Sequence, residues 1–376
     1  MAEPFKNLIN AEVVEEAARH LARVAPGFDA ARFTALALRN LEALEMKARA
    51  MQIADALEAT LPGAFEAAAK HIEAALAPMA TDDKPVAGGG LAGWVLWPVG
   101  EFVARRGLAQ PERALITLAE LTQRFTAEFA LRPFIVAHPA LCFQTLQRWT
   151  AHPSAHVRRL VSEGSRPRLP WGLQLKALIA DPAPTLPLLR ALQDDGSETV
   201  RRSVANHLND IAKDHPGLVA AWLEEHLPDA PAPRRALLRH ASRTLIKRGD
   251  ARVLQAWGLG APLRGSATLG LSPARVTLGE AVELRVSLAS TAARAQKLVV
   301  DYAIHHVKAD GSTSPKVFKG WTLELPPHAD ATLARRHAVR PITTRRYHAG
   351  RHVVELQVNG RVVASAAFDL RLPARR

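Results

Sequence analysis

The chain has 376 residues, and its 49 Lys and Arg against 36 Asp and Glu give a formal net charge of +13. Hydrophobic residues make up 48% and charged residues 23%, which is typical of globular protein and excludes a disordered tail. The single cysteine, Cys142, excludes an intrachain disulfide and therefore a small disulfide-built secreted scaffold.

The N-terminal residues lack the apolar core of a signal peptide. The longest uncharged stretch, residues 85–100, contains five glycines and is a poor membrane span. We therefore expect a cytoplasmic protein that does not contact membranes.

Helical periodicity runs through residues 1–262, interrupted by short breaks that contain Pro or Gly. The predicted helices cover residues 11–24, 32–41, 47–57, 63–76, 113–131, 138–150 and 218–226. Such short breaks predict antiparallel helix pairs.

A short motif recurs within this helical part. HVRRLV at residues 156–161 returns 43 residues later as TVRRSV at residues 199–204, and a looser copy, RRALL, begins at Arg234. A period of about 40 residues is typical of HEAT-like repeats, which stack into a solenoid with a concave face. The alternative is three unrelated amphipathic helices.

A carboxylate lies between arginines near the end of the fifth predicted helix. Arg124, Glu128 and Arg132 are spaced by four residues, which predicts one shared helix face with Phe129 on the adjacent stripe. A carboxylate held among arginines and aromatic rings would stay ionised. The alternative is an ordinary solvated ladder of salt bridges.

The first copy of the repeated motif is followed by the loop RPRLPWG, residues 166–172. Its prolines predict a stiff loop that presents Trp171, although a buried tryptophan between helices is the alternative. Arg159 on the preceding helix and Arg166 in the loop are candidate phosphate contacts, or else solvated surface arginines.

The helix of the second copy carries a polar stripe. Arg202, Asn206, Asn209 and Lys213 recur at i, i+4, i+7 and i+11, and Asp210 faces nearly the same way. Two amides are less expected on a plain solvated face, where Glu and Lys dominate. We therefore add these five side chains to the candidate site.

From residue 266 onward the pattern changes to short β-rich runs separated by turn signals, including Asn359-Gly360. The predicted strands cover residues 281–288, 297–306, 316–325, 331–339, 351–358 and 361–370. About seven strands in this length predict an immunoglobulin-like sandwich. The fold class is thus a mainly α HEAT-like-repeat solenoid, residues 1–262, followed by an all-β immunoglobulin-like sandwich, residues 266–376.

The positive charge is unevenly distributed along the chain. The net charge is −4 over residues 1–100, +8 over residues 101–265 and +9 over residues 266–376. This asymmetry favours a polyanionic partner, with nucleic acid as the leading candidate and a solvated basic face or an acidic protein partner as alternatives. In the sandwich, Arg345 and Arg346 are candidate DNA contacts.

The candidate residues suit one kind of reaction. A DNA base alkylated on a ring nitrogen is cationic and leaves as a neutral group, so its removal needs no strong general acid. The reaction needs an anion beside the developing sugar cation and an aromatic wall for the base, which Glu128, Asp210 and Trp171 would supply. With one cysteine and no His cluster, we expect no metal and no cofactor.

The motifs resemble the HEAT-like-repeat DNA glycosylases of alkylation repair, relatives of AlkC and AlkD, and the AlkC branch in particular. The resemblance rests on residues 124–135, VRR at 157–159, LPWG at 169–172 and NHLNDIAK at 206–213. The C-terminal sandwich also fits the AlkC branch, because AlkD-like proteins lack it.

The resemblance implies a monomeric enzyme that excises 3-methyladenine and 3-methylcytosine from double-stranded DNA without flipping the base. Glu128 matches the family's catalytic carboxylate, and Phe129 follows it as in the family. Trp171 matches an aromatic group at the lesion and Asp210 a second acidic position, and Arg159 and Arg166 match phosphate-facing arginines. No lysine stands out as a Schiff-base nucleophile, so no lyase activity is expected. The alternative is a HEAT-repeat scaffold that binds DNA structures or an acidic protein without catalysis.

Overall fold

The structure, a computed structural model, describes residues 4–81, 83–342 and 345–373. Within them, 16 α-helices are followed by eight β-strands. The helices are α1 (Ala11–Val24), α2 (Ala30–Leu38), α3 (Met46–Thr60), α4 (Phe65–Ala75), α5 (Leu96–Arg106), α6 (Pro111–Arg124), α7 (Glu128–Ala137), α8 (Pro139–Trp149), α9 (Ala155–Gly164), α10 (Lys176–Ala180), α11 (Leu186–Leu192), α12 (Glu198–Asp214), α13 (Pro216–His226), α14 (Ala232–Ala241), α15 (Arg243–Arg248) and α16 (Ala251–Ala256). The strands are β1 (Gly265–Ser272), β2 (Arg275–Thr277), β3 (Ala281–Ser290), β4 (Gln296–Val307), β5 (Thr313–Leu325), β6 (Asp330–Ala338), β7 (Gly350–Val358) and β8 (Arg361–Arg371).

The predicted fold class is confirmed, as α1 illustrates for the helical part. Asn10 caps this helix by accepting a hydrogen bond from the Val13 amide at 3.1 Å, and Val14 and Leu21 face the core at helical spacing. Further along, α6 packs on α9, α9 on α12 and α12 on α14, so each helix contacts others close to it along the chain. This is the stacking that the repeated motif predicts.

The two copies of the repeated motif make equivalent contacts. Arg158 on α9 donates through Nη1 to the carbonyls five and six residues before it, both at 2.8 Å. Arg201 on α12 donates to the same two relative positions at 3.0 and 2.5 Å. Each arginine thus fixes the loop that leads into its own helix.

The predicted helix over residues 113–131 is wrong, because it is two helices. α6 ends at Arg124, Phe125 leaves the helical region with φ −162° and ψ −99°, and α7 begins at Glu128. Arg124 therefore does not share a face with Glu128, and it binds the Ala77 carbonyl instead, at 2.9 Å. The break places Glu128 at a helix N-terminus.

The strands form two sheets, of order β1-β3-β6 and β2-β8-β7-β4-β5. Alternate residues of facing strands fill the core, among them Val282 and Leu284 on β3 and Ile304 on β4. β7 and β8 are joined at Asn359-Gly360, whose φ angles of 48° and 77° are those of the predicted hairpin turn.

Contacts divide the chain into two compact units. The first contains Met1–Asp214 and Pro231–Ala241, and the second contains His215–Ala230 and Ser242–Arg376. Three helices, α13, α15 and α16, are thus grouped with the strands. The domain boundary between residues 262 and 266 remains a prediction. In the described part of the chain, no helix is both long and apolar enough to cross a membrane.

Candidate active site

Glu128 places a buried carboxylate at the start of α7. The residue is 7% exposed, and Oε1 lies 3.7 Å from Nη2 of Arg159. Oε2 is also buried and accepts no hydrogen bond from any described residue. Burial raises the pKa of this carboxyl, and the charge of Arg159 opposes that rise. One oxygen of this buried acid therefore has no hydrogen-bond partner among the described residues.

Arg159 is fixed beside this acid from a different helix. It lies on α9, and its Nη1 donates to Oγ1 of Thr126 at 3.2 Å, in the break between α6 and α7. Its side chain remains partly exposed. The break that the sequence pattern does not predict thus supplies a second contact that orients Arg159.

Asp210 is the other candidate carboxylate, and it is 1% exposed. It accepts from Nε of Arg166 at 2.8 Å and from Nζ of Lys213 at 2.7 Å. Arg166 also donates to Glu163 at 2.6 Å, and Glu163 accepts from the Ser203 hydroxyl at 2.6 Å. These five residues form a charged network between α9 and α12.

Arg166 is buried in that network, with its guanidinium bound to two carboxylates. Glu163 and Ser203 are functional candidates that the sequence patterns alone did not single out. The available signal was that Glu163 lies only three residues before Arg166, which brings the two opposite charges together just beyond the end of α9.

Trp171 is 70% exposed, so the alternative of a buried interhelical tryptophan is excluded. Its φ of 63° is in the left-handed region, which a bulky residue seldom adopts. The loop is held by the fully buried Arg132, which donates through Nε to Leu173 O, through Nη1 to Gly164 O at 2.9 Å and through Nη2 to Pro167 O at 3.5 Å. One guanidinium therefore sets the path of the loop that presents Trp171.

The charges of this region act on one another. Burial, together with the nearby charge of Arg166, lowers the pKa of Arg132 to about 10. The carboxylates Asp210, Glu128 and Glu163 act on Arg132 in the opposite direction. Arg132 thus lies within electrostatic reach of both predicted carboxylates.

Phe129 stacks on Trp97, with ring centroids 5.2 Å apart and an angle of 25° between the planes. The ring of Trp97 in turn packs near that of Trp94, with centroids 6.4 Å apart. Phe129, the residue that follows Glu128, therefore belongs to a row of three aromatic rings.

The predicted polar stripe of α12 is divided by burial. Arg202 and Lys213 are exposed, whereas Asn209 is 4% exposed. Asn206 Oδ1 lies 2.9 Å from Nε2 of His240 on α14. The amides thus face neighbouring structure, and the two cations face solvent.

Arg345 and Arg346 lie between β6 and β7, in the second unit. Arg345 is partly buried and Arg346 is exposed. Among the described residues, no group of His, Cys, Asp and Glu is arranged to hold a metal ion.

Comparisons with known proteins identify the family. Residues 266–372 match the family model of the C-terminal Ig-like domain of the uncharacterised protein YhaZ. The chain is 35% identical over 368 residues to the uncharacterized protein YhaZ of Bacillus subtilis (strain 168), covering 97% of this chain and 99% of that protein. The structure of Pseudomonas fluorescens alkylpurine DNA glycosylase AlkC, bound to DNA containing an abasic site analog, matches with a TM-score of 0.90 and 36% identity, covering 98% of this chain and 100% of that one.

The helical solenoid, the carboxylates within it and the C-terminal Ig-like domain define a protein of the HEAT-like-repeat glycosylase fold. The chain belongs to the family of AlkC and YhaZ, which confirms the resemblance drawn from its motifs.

Proposed function

We propose that this protein is a DNA glycosylase of base excision repair. It hydrolyses the N-glycosidic bond of N3-alkylated bases, 3-methyladenine and 3-methylcytosine, in double-stranded DNA without flipping the base. The observation that carries the proposal is the buried Glu128 carboxylate, whose Oε2 has no hydrogen-bond partner among the described residues and whose Oε1 lies 3.7 Å from Nη2 of Arg159. The similarity to AlkC over nearly the whole chain supports it.

The reaction starts from a base that already carries a positive charge. The N-glycosidic bond breaks, its electron pair goes to the base, and the base leaves neutral. The positive charge moves to the sugar, where the Glu128 carboxylate stabilises it. A water molecule adds its oxygen to the sugar carbon, and its proton passes to the carboxylate.

Asp210 contributes differently from Glu128, because Arg166 and Lys213 occupy both of its oxygens. We assign it to the second acidic position, where it adds negative potential and holds these two cations in place. Trp171 offers an exposed ring face against which a cationic base is stabilised.

The remaining candidates are assigned to the DNA backbone. In the first unit, exposed or partly exposed polar groups suit phosphate contacts, and the sandwich adds two arginines. These residues are Arg159, Arg202, Asn206, Lys213, Arg345 and Arg346. Asn209, the other amide of the predicted stripe, is only 4% exposed, so we assign it no phosphate contact. Arg166 is buried, so we assign its effect on DNA to the carboxylates that it binds.

The test is Glu128→Gln, which keeps the shape and removes the charge. We expect it to bind abasic-site DNA like the wild type and to release 3-methyladenine from methylated DNA at least about 100-fold more slowly. Glu112→Gln, at an exposed glutamate of α6, is the matched control and should leave both unchanged. Full activity of Glu128→Gln would contradict the assignment.

The wild-type assay also separates the two classes of function. A glycosylase releases free bases and leaves the DNA strand uncut, because no lyase step follows. A scaffold that only binds DNA releases none. Both bind more weakly as salt increases, so binding alone does not separate them.

A further inference from the structure

An open groove of about 640 Å³ lies beside Trp171 in the first unit. Its lining includes three aromatic rings, Phe5, Trp97 and Trp171, and the charged residues Lys6, Lys47 and Glu45. We refer to it as the aromatic groove. None of its side chains except Trp171 takes part in the reaction proposed above.

Two of the three rings are exposed to solvent. Phe5 is 61% and Trp171 is 70% exposed, whereas Trp97 is nearly buried and stacks on Phe129. Exposed large apolar groups that line one concavity mark a binding site more often than isolated ones do. The aromatic groove therefore presents ring faces to a ligand.

Each wall of the groove is fixed by its own buried arginine. Arg49 is 3% exposed, and its Nη1 donates to the carbonyls of Lys6 at 3.0 Å and Ile9 at 2.8 Å, which fixes the turn that carries Phe5. Arg132 fixes the loop of Trp171 in the same manner. A groove ordered before binding loses little entropy when a ligand enters.

The charges of the groove select the ligand. Lys6 is paired with Glu45 at 2.9 Å, whereas Lys47 is exposed and leaves the rim positive. Aromatic faces stack on nucleobases, and a lysine at the rim suits a phosphate. A cationic alkylated base is disfavoured beside Lys47, so a neutral base fits better.

We propose that the aromatic groove binds one unstacked, undamaged nucleotide of the DNA, with its base between Phe5 and Trp171 and its phosphate at Lys47. This inference rests on the proposed function only in that the protein binds DNA. It assigns a second nucleotide site, next to the one for the lesion.

The experiment uses duplexes that contain a tetrahydrofuran abasic analogue and 2-aminopurine opposite it or on either side. Binding of the wild type changes the 2-aminopurine fluorescence at one of these positions. Phe5→Ala removes that change and weakens binding about tenfold, while Phe5→Tyr keeps both because it keeps a ring. Ile116→Ala removes an exposed apolar residue outside the groove and leaves both unchanged.

Lys47→Ala gives an independent reading, since loss of one phosphate contact lowers the slope of log K against log salt by about 1. Equal fluorescence and affinity for Phe5→Ala and Ile116→Ala would overturn the proposal. Loss of the fluorescence change upon addition of free 3-methyladenine would also overturn it, because the groove would then hold the released base. The two proposals can fail separately. If the protein binds the duplex but releases no base, the proposed glycosylase activity is contradicted, whereas the 2-aminopurine experiment still tests the aromatic groove.

Discussion

Gly172 packs directly against the buried side chain of Arg132. A Cβ atom at Gly172 would lie 3.3 Å from both Cδ and Nε of Arg132, and 3.1 Å from Cδ2 of Leu169. Residue 172 follows Trp171 in the chain, so this contact joins the exposed ring to the guanidinium that orders its loop. The absence of a side chain at Gly172 is what allows the loop to approach so closely.

Gly172→Ala should therefore disturb the loop through Arg132. We expect a destabilisation of about 1–3 kcal/mol, typical of overpacking, together with slower base release. Urea unfolding and the base-release assay measure the two effects. Gly196→Ala is the control, since a Cβ there meets no atom within 4 Å, and it should change stability by less than about 0.5 kcal/mol.

Arg132→Lys should have a larger effect than its conservative character suggests. A lysine ammonium cannot span the three carbonyls that the guanidinium binds, so buried acceptors lose their partners. We expect a loss of about 2–4 kcal/mol in the free energy of unfolding. Arg148→Lys, at an exposed arginine of α8, is the matched control.

A double-mutant cycle distinguishes positioning from general destabilisation. If Arg132 acts on catalysis through the loop, Arg132→Lys should slow base release much less in a Trp171→Ala background than in the wild type. Additive effects of the two substitutions on the rate would contradict that role.

Glu128→Gln should make the folded protein more stable at neutral pH. The pKa of Glu128 is raised by burial, so the folded state binds more protons than the unfolded state above the ordinary glutamate range. The free energy of unfolding of the wild type therefore falls as pH rises through that window. The uncharged Gln variant does not lose this stability. We expect a gain of about 1 kcal/mol at pH 8 from urea unfolding.

The same shift governs the pH dependence of activity. Because the proposed reaction needs the carboxylate form of Glu128, the acid limb of the base-release rate should lie above the ordinary pKa of glutamate. An acid limb at or below the ordinary value would contradict the role of Glu128.

The sandwich should be sensitive to acid through three histidines. Burial lowers the pKa of His306 to about 3 and that of His337 to about 4, and it also lowers the pKa of His352. The positive charge of Arg345 also lowers the pKa of all three histidines, and the charge of Lys316 lowers those of His306 and His337. Unfolding lets these rings take up protons, so stability falls as pH drops below about 6.5.

His306→Phe should reduce this acid sensitivity, because both ring nitrogens of His306 are buried without a partner among the described residues. Between pH 7.5 and pH 5, the variant should lose on the order of 1 kcal/mol less stability than the wild type, measured by urea unfolding. His328→Asn, at an exposed turn, should behave like the wild type.

Local sequence patterns were sufficient for the elements that local chemistry determines. The Asn359-Gly360 turn and the strands that flank it follow from residue type and alternation. The break between α6 and α7 was missed because residues 125–127 contain neither Pro nor Gly. β1 was missed because it is poor in β-branched residues, and β2 was missed because it has only three residues.

The candidate site remains a prediction, and the sequence indicated only the residue types in it. Glu128, Trp171 and Asp210 follow from motifs, but their environments depend on residues far away in sequence. Asp210 binds an arginine 44 positions before it, and the loop of Trp171 depends on the burial of Arg132, whose spacing suggested a solvated ladder. The periodicity of a sequence does not reveal contacts between residues so far apart in the chain.

The network that joins Glu163 and Arg166 to Ser203 and Asp210 spans two successive copies of the repeated motif. A solenoid can grow or shrink by duplication or loss of whole repeats, since each unit contacts only its neighbours. Between α9 and α12 that freedom is lost, because one additional repeat would separate the two halves of the charged network. The number of repeats can therefore change at the ends of such a chain. Between α9 and α12 it is fixed by the charged network.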